Sequence, residues 1–135
     1  MKVRTIDKLF LNNNFILFIS VVIDLNAGAN EWVVGNLHHS GFYRVNYDKK
    51  NWDLLIQQLN NNHLRIHEIN RATLIDDSFN LGRAEKISQK TFLDIVKYLE
   101  NEKDPIPWTA AFNGMSFIGN MLSSTNTGTF SSYKV

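Results

Sequence analysis

The sequence predicts a mostly α chain: antiparallel helical hairpins, as at the start of an α-solenoid or superhelix, preceded by a β-hairpin. Three observations carry that expectation. Four stretches between Asp48 and Leu122 place apolar residues at helical spacing. The links between them are short and polar, which makes consecutive helices antiparallel neighbours. Upstream of Asp48 the pattern alternates with period two, and at Asp48 it changes to the helical period.

Composition limits the classes of function. With 135 residues, 44% hydrophobic and 20% charged, the chain has the make-up of one small domain able to bury a core. Its 14 basic and 13 acidic residues leave a net charge of +1, which offers no electrostatic reason to expect nucleic acid or anionic lipid as a partner. The absence of Cys excludes a disulfide framework and a thiolate metal site within the chain.

The first thirty residues stand apart. Lys2, Arg4 and Lys8 precede an apolar run from Phe15 to Ile23, and Ala27-Gly28-Ala29 supplies small residues, the three-part layout of a secretory signal. Asp7 and the Asn12-Asn13-Asn14 interruption oppose that reading. A buried strand and an artefactual first exon are the alternatives. A transmembrane helix is not expected, because about nine residues at about 1.5 Å each fall far short of a hydrocarbon core of roughly 30 Å.

From Glu31 each element has its own signal. Trp32, Val33, Val34 and Leu37 form one β-prone run, His38 to Gly41 has the length and the glycine of a hairpin loop, and Phe42 to Tyr47 forms a second run. Tyr43, Val45 and Tyr47 share the face expected to be buried. A lone hairpin is marginal in water, so these strands should belong to something larger. Asp48 is the expected N-cap of a first helix that places Trp52, Leu55, Ile56 and Leu59 inward and ends at Asn60-Asn61-Asn62.

A second helix from about Ile66 to Arg83 carries a stripe of Ile69, Ala72, Ile75 and Phe79, with Leu74 and Leu81 on the other side. Apolar on two sides, it should be sandwiched between layers. Ser88 caps a third helix, with Ile87 and Phe92 placed as a hydrophobic staple and Phe92, Ile95, Val96 and Leu99 inward. After a polar link from Glu100 to Asp104, Pro107 fits the first position of a fourth helix, whose expected inner side is Trp108, Ala111, Phe112, Met115, Ile118 and Leu122. The tract from Ser123 to Thr129 has no periodic pattern, and the terminal FSSYKV is too short to assign.

The residues that invite a chemical reading do not sustain one. His63 and His67 have the i, i+4 spacing by which two imidazoles share zinc on one helix face. Leu64 stands where a general-base Glu would be needed, however, and the pair straddles a helix junction. His38 and His39 lie in the loop, where adjacent side chains diverge. Asp76 and Asp77 point about 100° apart on a helix and cannot flank one bond. Asp76 falls within the stripe of Ile69, Ala72 and Phe79, so a structural ion pair with Arg44 or Arg83 is expected, whereas Asp77 groups with Asn70, Thr73 and Asn80 on a polar side. There is no Gly-rich phosphate loop and no basic stripe interleaved with aromatics.

The segments WVVGNLHHSGFYRVNYD, the pair Asn51-Trp52, INRATLIDDSFNLGRA, KYLENE and PWTAAFNGMSFIGNML occur in one order across Trp32 to Leu122. Together they resemble the junction region of the zinc aminopeptidases related to aminopeptidase N, including the endoplasmic reticulum and puromycin-sensitive enzymes. FSSYKV resembles the next family segment weakly. The resemblance implies that residues 31–47 are the C-terminal hairpin of a β-sandwich domain. It makes residues 48–135 the first helices of a truncated C-terminal α-helical domain, and residues 1–30 an extension outside the family pattern.

The same resemblance implies what is missing, since the HExxH zinc motif, its downstream Glu ligand, the GAMEN-type motif and the transition-state Tyr belong to an upstream domain without counterpart here. No catalytic, cofactor-binding or metal-ligating residue is therefore expected, and zinc is expected only in the parent enzyme. The partner implied is the rest of an aminopeptidase chain, with peptide bound only by the full enzyme and no nucleic acid. Family and signal-like N-terminus together favour a membrane-associated or extracellular location. A fragment of a zinc exopeptidase that removes N-terminal residues from peptides is the leading expectation, and a non-catalytic helical interaction module is the alternative. Poor solubility is also expected, from an apolar face left exposed by the sandwiched helix.

Overall fold

The computed structural model describes residues 2–11, 15–24 and 28–124, the first two stretches as backbone only. Strands β1 (Lys2–Leu11) and β2 (Phe15–Asp24) pair antiparallel from Lys2↔Asp24 to Leu11↔Phe15. β3 (Tyr43–Tyr47) adds antiparallel to β1, from Val3↔Tyr47 to Asp7↔Tyr43, giving the order β2-β1-β3. The apolar run from Phe15 to Ile23 thus lies in a strand. The Asn12-Asn13-Asn14 interruption and most of the tract after α4, with FSSYKV, lie outside the described residues. No helix among the described residues is long and apolar enough to cross a membrane.

Of the hairpin expected over 31–47, the second arm forms and the first does not. Residues 32–36 are irregular, and Leu37–His39 makes one 3₁₀ turn. The reason is visible in the hydrogen bonds: β3 takes β1 as its ladder partner, and side chains satisfy the backbone of the first arm instead. Asn51 accepts from Val33 N–H at 2.9 Å and donates to Val33 C=O at 2.8 Å, while Gly35 N–H donates to the Tyr47 hydroxyl at 2.9 Å. Three residues of the loop, Asn36, His38 and His39, have φ near +50°, a region uncommon outside glycine in which Asn and His are over-represented. Asn36 holds this bend by accepting from Gly41 N–H and donating to the carbonyls of Gly41 and Tyr43. A Cβ at Gly41 would stand 2.2 Å from the Tyr43 ring, so the turn admits glycine there.

Helix α1 (Lys49–Asn62) opens as expected, with Asn51 N–H donating to Asp48 Oδ1 at 2.8 Å. It buries Trp52, Leu55 and Leu59, each side chain worth about 1.5–3 kcal/mol when removed from water. Trp52 meets the edge of Tyr47 at 5.0 Å, which seats α1 against β3. After a 3₁₀ turn at His63–Arg65 comes α2 (Glu68–Arg83), the central helix, packed against β3, α3 and α4.

The sandwich is as expected, but the rotation of α2 about its axis is not. Its buried residues are Asn70, Arg71, Thr73, Leu74, Ile75, Asp77, Ser78, Leu81 and Gly82, whereas Ile69, Ala72 and Phe79 are only half-buried. The helix ends in a paired turn: Glu85 N–H donates to Gly82 C=O and Lys86 N–H to Leu81 C=O, with Glu85 at φ 56° where glycine is the common choice. α3 (Gln89–Val96) is capped by Ser88, whose side chain accepts from Lys90 N–H, and it runs into a 3₁₀ segment at Lys97–Asn101 that buries Tyr98 and Leu99.

α4 (Pro105–Ser124) begins at Pro105 rather than Pro107, with Asp104 accepting from Ile106 N–H at 2.8 Å. Both prolines fit, because the first-turn N–H groups have no partner inside the helix. Its inner side also differs from expectation. Pro107, Ala111 and Gly114 face inward, Trp108 and Ile118 are half-buried, and Phe112 and Met115 are 58% and 41% exposed. Small residues let the helices approach closely: a Cβ on Gly114 would lie 3.0 Å from the Phe92 ring and 3.2 Å from that of Phe79. The exposed apolar face therefore belongs to α4, not to the sandwiched α2.

Candidate functional site

The joint around α2 gathers most of the buried polar side chains. Toward the sheet, α2 presents Asn70 and Asp77. Asn70 accepts from His38 N–H at 3.0 Å and donates to Asn36 C=O at 3.2 Å, repeating one helix on what Asn51 of α1 does for Val33. Asp77 accepts from Val45 N–H at 3.0 Å, and so reaches the backbone of β3 itself. Arg44, on β3, donates from one guanidinium nitrogen to Asp76 at 2.5 Å and to Asp77 at 3.1 Å.

The expected ion pair of Asp76 with Arg44 is present, but the buried member is Asp77. The Asp77 side chain is 3% exposed and that of Asp76 47%. Burial pushes Asp77 up to about 6, against the opposing pull of Val45 N–H and Arg44. Burial opposes the charge of Arg44, but its two carboxylate partners outweigh it and raise its pKa. Arg83, the other expected partner, instead lies 3.9 Å over the ring of Phe117.

On its opposite side α2 carries Arg71, a residue the sequence reading did not single out. Its Nε and Nη2 donate to the two oxygens of Glu102 at 2.6 and 3.0 Å, and Nη1 donates to Ile66 C=O at 2.6 Å. Glu102 also accepts from the backbone N–H groups of Lys103 and Asp104, and its own carbonyl accepts from the Trp108 indole at 3.1 Å. Burial would raise the Glu102 pKa, yet these donors together hold it below the ordinary value. Beside the pair, burial followed by the Glu102 charge drives the Tyr98 hydroxyl well above the usual phenol range. A signal for Arg71 exists in the sequence: it stands three and four residues before Leu74 and Ile75, in phase with the buried stripe that ends at Leu81. Glu102 has no such signal, since it follows the last periodic residue of α3.

The four histidines are distributed over the joint. His63 belongs to the 3₁₀ turn, its ring 5.7 Å from Tyr98 and its Nε2 3.9 Å from Glu102. His67 precedes α2 and accepts from Ile69 N–H at 3.3 Å, so the pair does not share a helix face. His38 meets His67 edge-on at 4.4 Å, and His39 lies 3.5 Å from the Thr73 hydroxyl. Among the described residues no group of three or more His, Asp or Glu side chains is placed to hold a metal ion. A groove of about 290 Å³ between α2, α3 and α4 is lined by Phe79, Phe92, Leu93 and Phe117, with Arg83, Gln89 and Ser78 as its polar groups. No acid, base and nucleophile converge there.

What the joint can do, on this geometry, is hold a sheet to a helical layer. Segments similar to this chain occur in known proteins. The chain is 46% identical over 94 residues to aminopeptidase Ey of Gallus gallus, covering 70% of this chain and 10% of that protein. It is 46% identical over 91 residues to the thyrotropin-releasing hormone-degrading ectoenzyme of Mus musculus, covering 67% and 8%, and 41% identical over 92 residues to aminopeptidase N of Homo sapiens, covering 68% and 10%. The chain thus spans about a tenth of the length of these relatives. Residues 32–134 match the model of the ERAP1-like C-terminal domain, and the chain belongs to that family, as a segment related to the aminopeptidases of the aminopeptidase N group.

Proposed function

We propose that this chain is an architectural, non-catalytic segment of a zinc aminopeptidase that removes N-terminal residues from peptides, with the rest of such an enzyme as its partner. The observation that carries the reading is the double clasp on α2: Arg44 with Asp76 and Asp77 toward the sheet, Arg71 with Glu102 toward the helices. Buried polar contacts that join layers fix geometry, and among the described residues none of these groups lines the groove between α2, α3 and α4. Aminopeptidase names among the relatives support the activity of the whole.

The test is a comparison of two proteins. Purified alone, the 135-residue chain should carry no stoichiometric zinc by elemental analysis and release nothing from leucine or alanine amides. Placed in frame behind the upstream part of an aminopeptidase N, it should support turnover, and deleting residues 48–124 from that fusion should abolish it. Turnover by the chain alone, or undiminished activity after the deletion, would overturn the reading.

One observation favours a second reading, a helical interaction module. Phe112 and Met115 lie exposed on α4, a helix with no charged residue. The transcript sequence upstream of Met1 separates the two: an in-frame HExxH region supports the enzyme segment, and an independent start site supports the module.

A further inference from the structure

The cluster at the sheet side of α2 is unbalanced in charge, and its placement has a consequence. Two carboxylates, Asp76 and Asp77, share one guanidinium nitrogen of Arg44, so the ionised cluster carries a surplus negative charge. The carboxylate that is out of water is Asp77, whose Oδ2 accepts from Val45 N–H and whose Oδ1 is the longer of the two contacts to Arg44. Asp76 has further help from the Asn80 amide at 3.0 Å and from its access to solvent. Among the described side chains around this point, β3 contributes Tyr43 and Tyr47 and the 3₁₀ turn contributes His39, 3.5 Å from the Thr73 hydroxyl one turn before Asp77; the β1 backbone sets Ile6 opposite Arg44 and Thr5 opposite Val45, with Asp7 and Arg4 at the flanking positions.

We infer that the Arg44–Asp76–Asp77 clasp is an acid-stabilised joint, in which Asp77 takes up one proton in mildly acidic solution and the folded chain gains stability as the surplus charge is removed. The proton goes to the Asp77 carboxyl, whose longer contact to Arg44 is the one that weakens. Oδ2 still accepts from Val45 N–H, Arg44 stays paired with Asp76, and the cluster passes from a net charge of −1 to zero. Relief of a desolvated surplus charge is the driving force, and the upward displacement of Asp77 to about 6 agrees with it.

The sign follows from linkage. An acid whose pKa is higher in the folded chain than in the unfolded one stabilises the fold fully below the unfolded value, and that stabilisation is lost as the pH rises through the folded value. With a folded value of about 6, the folded-to-unfolded ratio should drop about tenfold between pH 5 and pH 7 on account of this group. The experiment is denaturant unfolding of the full 135-residue chain at both pH values, beside Asp77→Asn. The readout is the difference between the two chains, which cancels other titrating groups. The wild type should lose about tenfold more of its folding ratio than the variant, and parallel profiles would overturn the inference. If Asp77→Asn does not fold, carboxyl carbon NMR of the wild type decides: a midpoint for Asp77 near 6 supports the joint, and one at the ordinary carboxylate value of about 4 sinks it.

Discussion

The two arginine clusters on opposite sides of α2 solve the same problem with opposite charge arithmetic. Arg71 meets Glu102 one to one, through two parallel N–H···O bonds, in a site where both side chains are almost fully buried. Arg44 meets two carboxylates with one nitrogen, half in solvent. The consequence is that Glu102 is held below its ordinary pKa while Asp77 rises above its own. A balanced buried pair defends its ions, whereas an unbalanced one yields a proton site.

Mutation can break this contrast, and the largest effect should fall on the balanced pair. Glu102→Ala leaves the Arg71 guanidinium buried and uncompensated, and should cost about 3–5 kcal/mol in urea unfolding. Arg71→Met with Glu102→Leu, which removes both charges and keeps the volume, should recover most of that loss. Arg44→Ala should cost less, about 1–3 kcal/mol, because Asp77 keeps Val45 N–H and can take a proton. Its cost should also shrink toward pH 5, which calorimetric melting at two pH values would register.

Acid should affect the two clusters in opposite directions. Glu102, lowered in the fold, contributes stability above the ordinary glutamate value of about 4.3, and that contribution is lost as the pH falls through its lower folded value. Glu102→Gln should therefore flatten the acid limb of a stability profile below about pH 4.3 and leave the region around pH 6 unchanged. Smallest of all should be Asp76→Ala, within about 1 kcal/mol because its partner contact is half exposed. A larger loss would mean that Asp76, not Asp77, carries the clasp.

Capping was legible in the sequence because it depends on few neighbours: Asp48 and Ser88 stand where their side-chain oxygens meet free N–H groups. The helical order and the sandwiched position of α2 were legible from apolar spacing. The rotation of α2 was not. Its sheet-facing side is polar in composition, Asn70, Thr73 and Asp77, because Asn70 meets the irregular backbone of Asn36 and His38 and Asp77 the Val45 N–H of β3, groups that need donors and acceptors rather than apolar contact. Polarity there marks burial, the reverse of the usual rule. On α4 the difference has a related origin: close approach to Phe79 and Phe92 selects Gly114, and Ala111 is buried with it, whereas the larger Phe112 and Met115 lie outward.

The amide side chains that replace the missing strand ladder reach the main chain of residues 33–38 alone. A contact made to N–H and C=O is indifferent to what the contacted residue carries on its Cβ. Leu37, whose side chain is exposed, can accordingly drift in identity while the seat of the loop stays put. Asn51 and Asn70 cannot, since an aspartate offers no donor for the carbonyl and a leucine neither donor nor acceptor. The segment thereby combines a fixed pair of amides on the helices with a loop in which Leu37 is free to vary while Asn36 and Gly41, which hold the bend, are not.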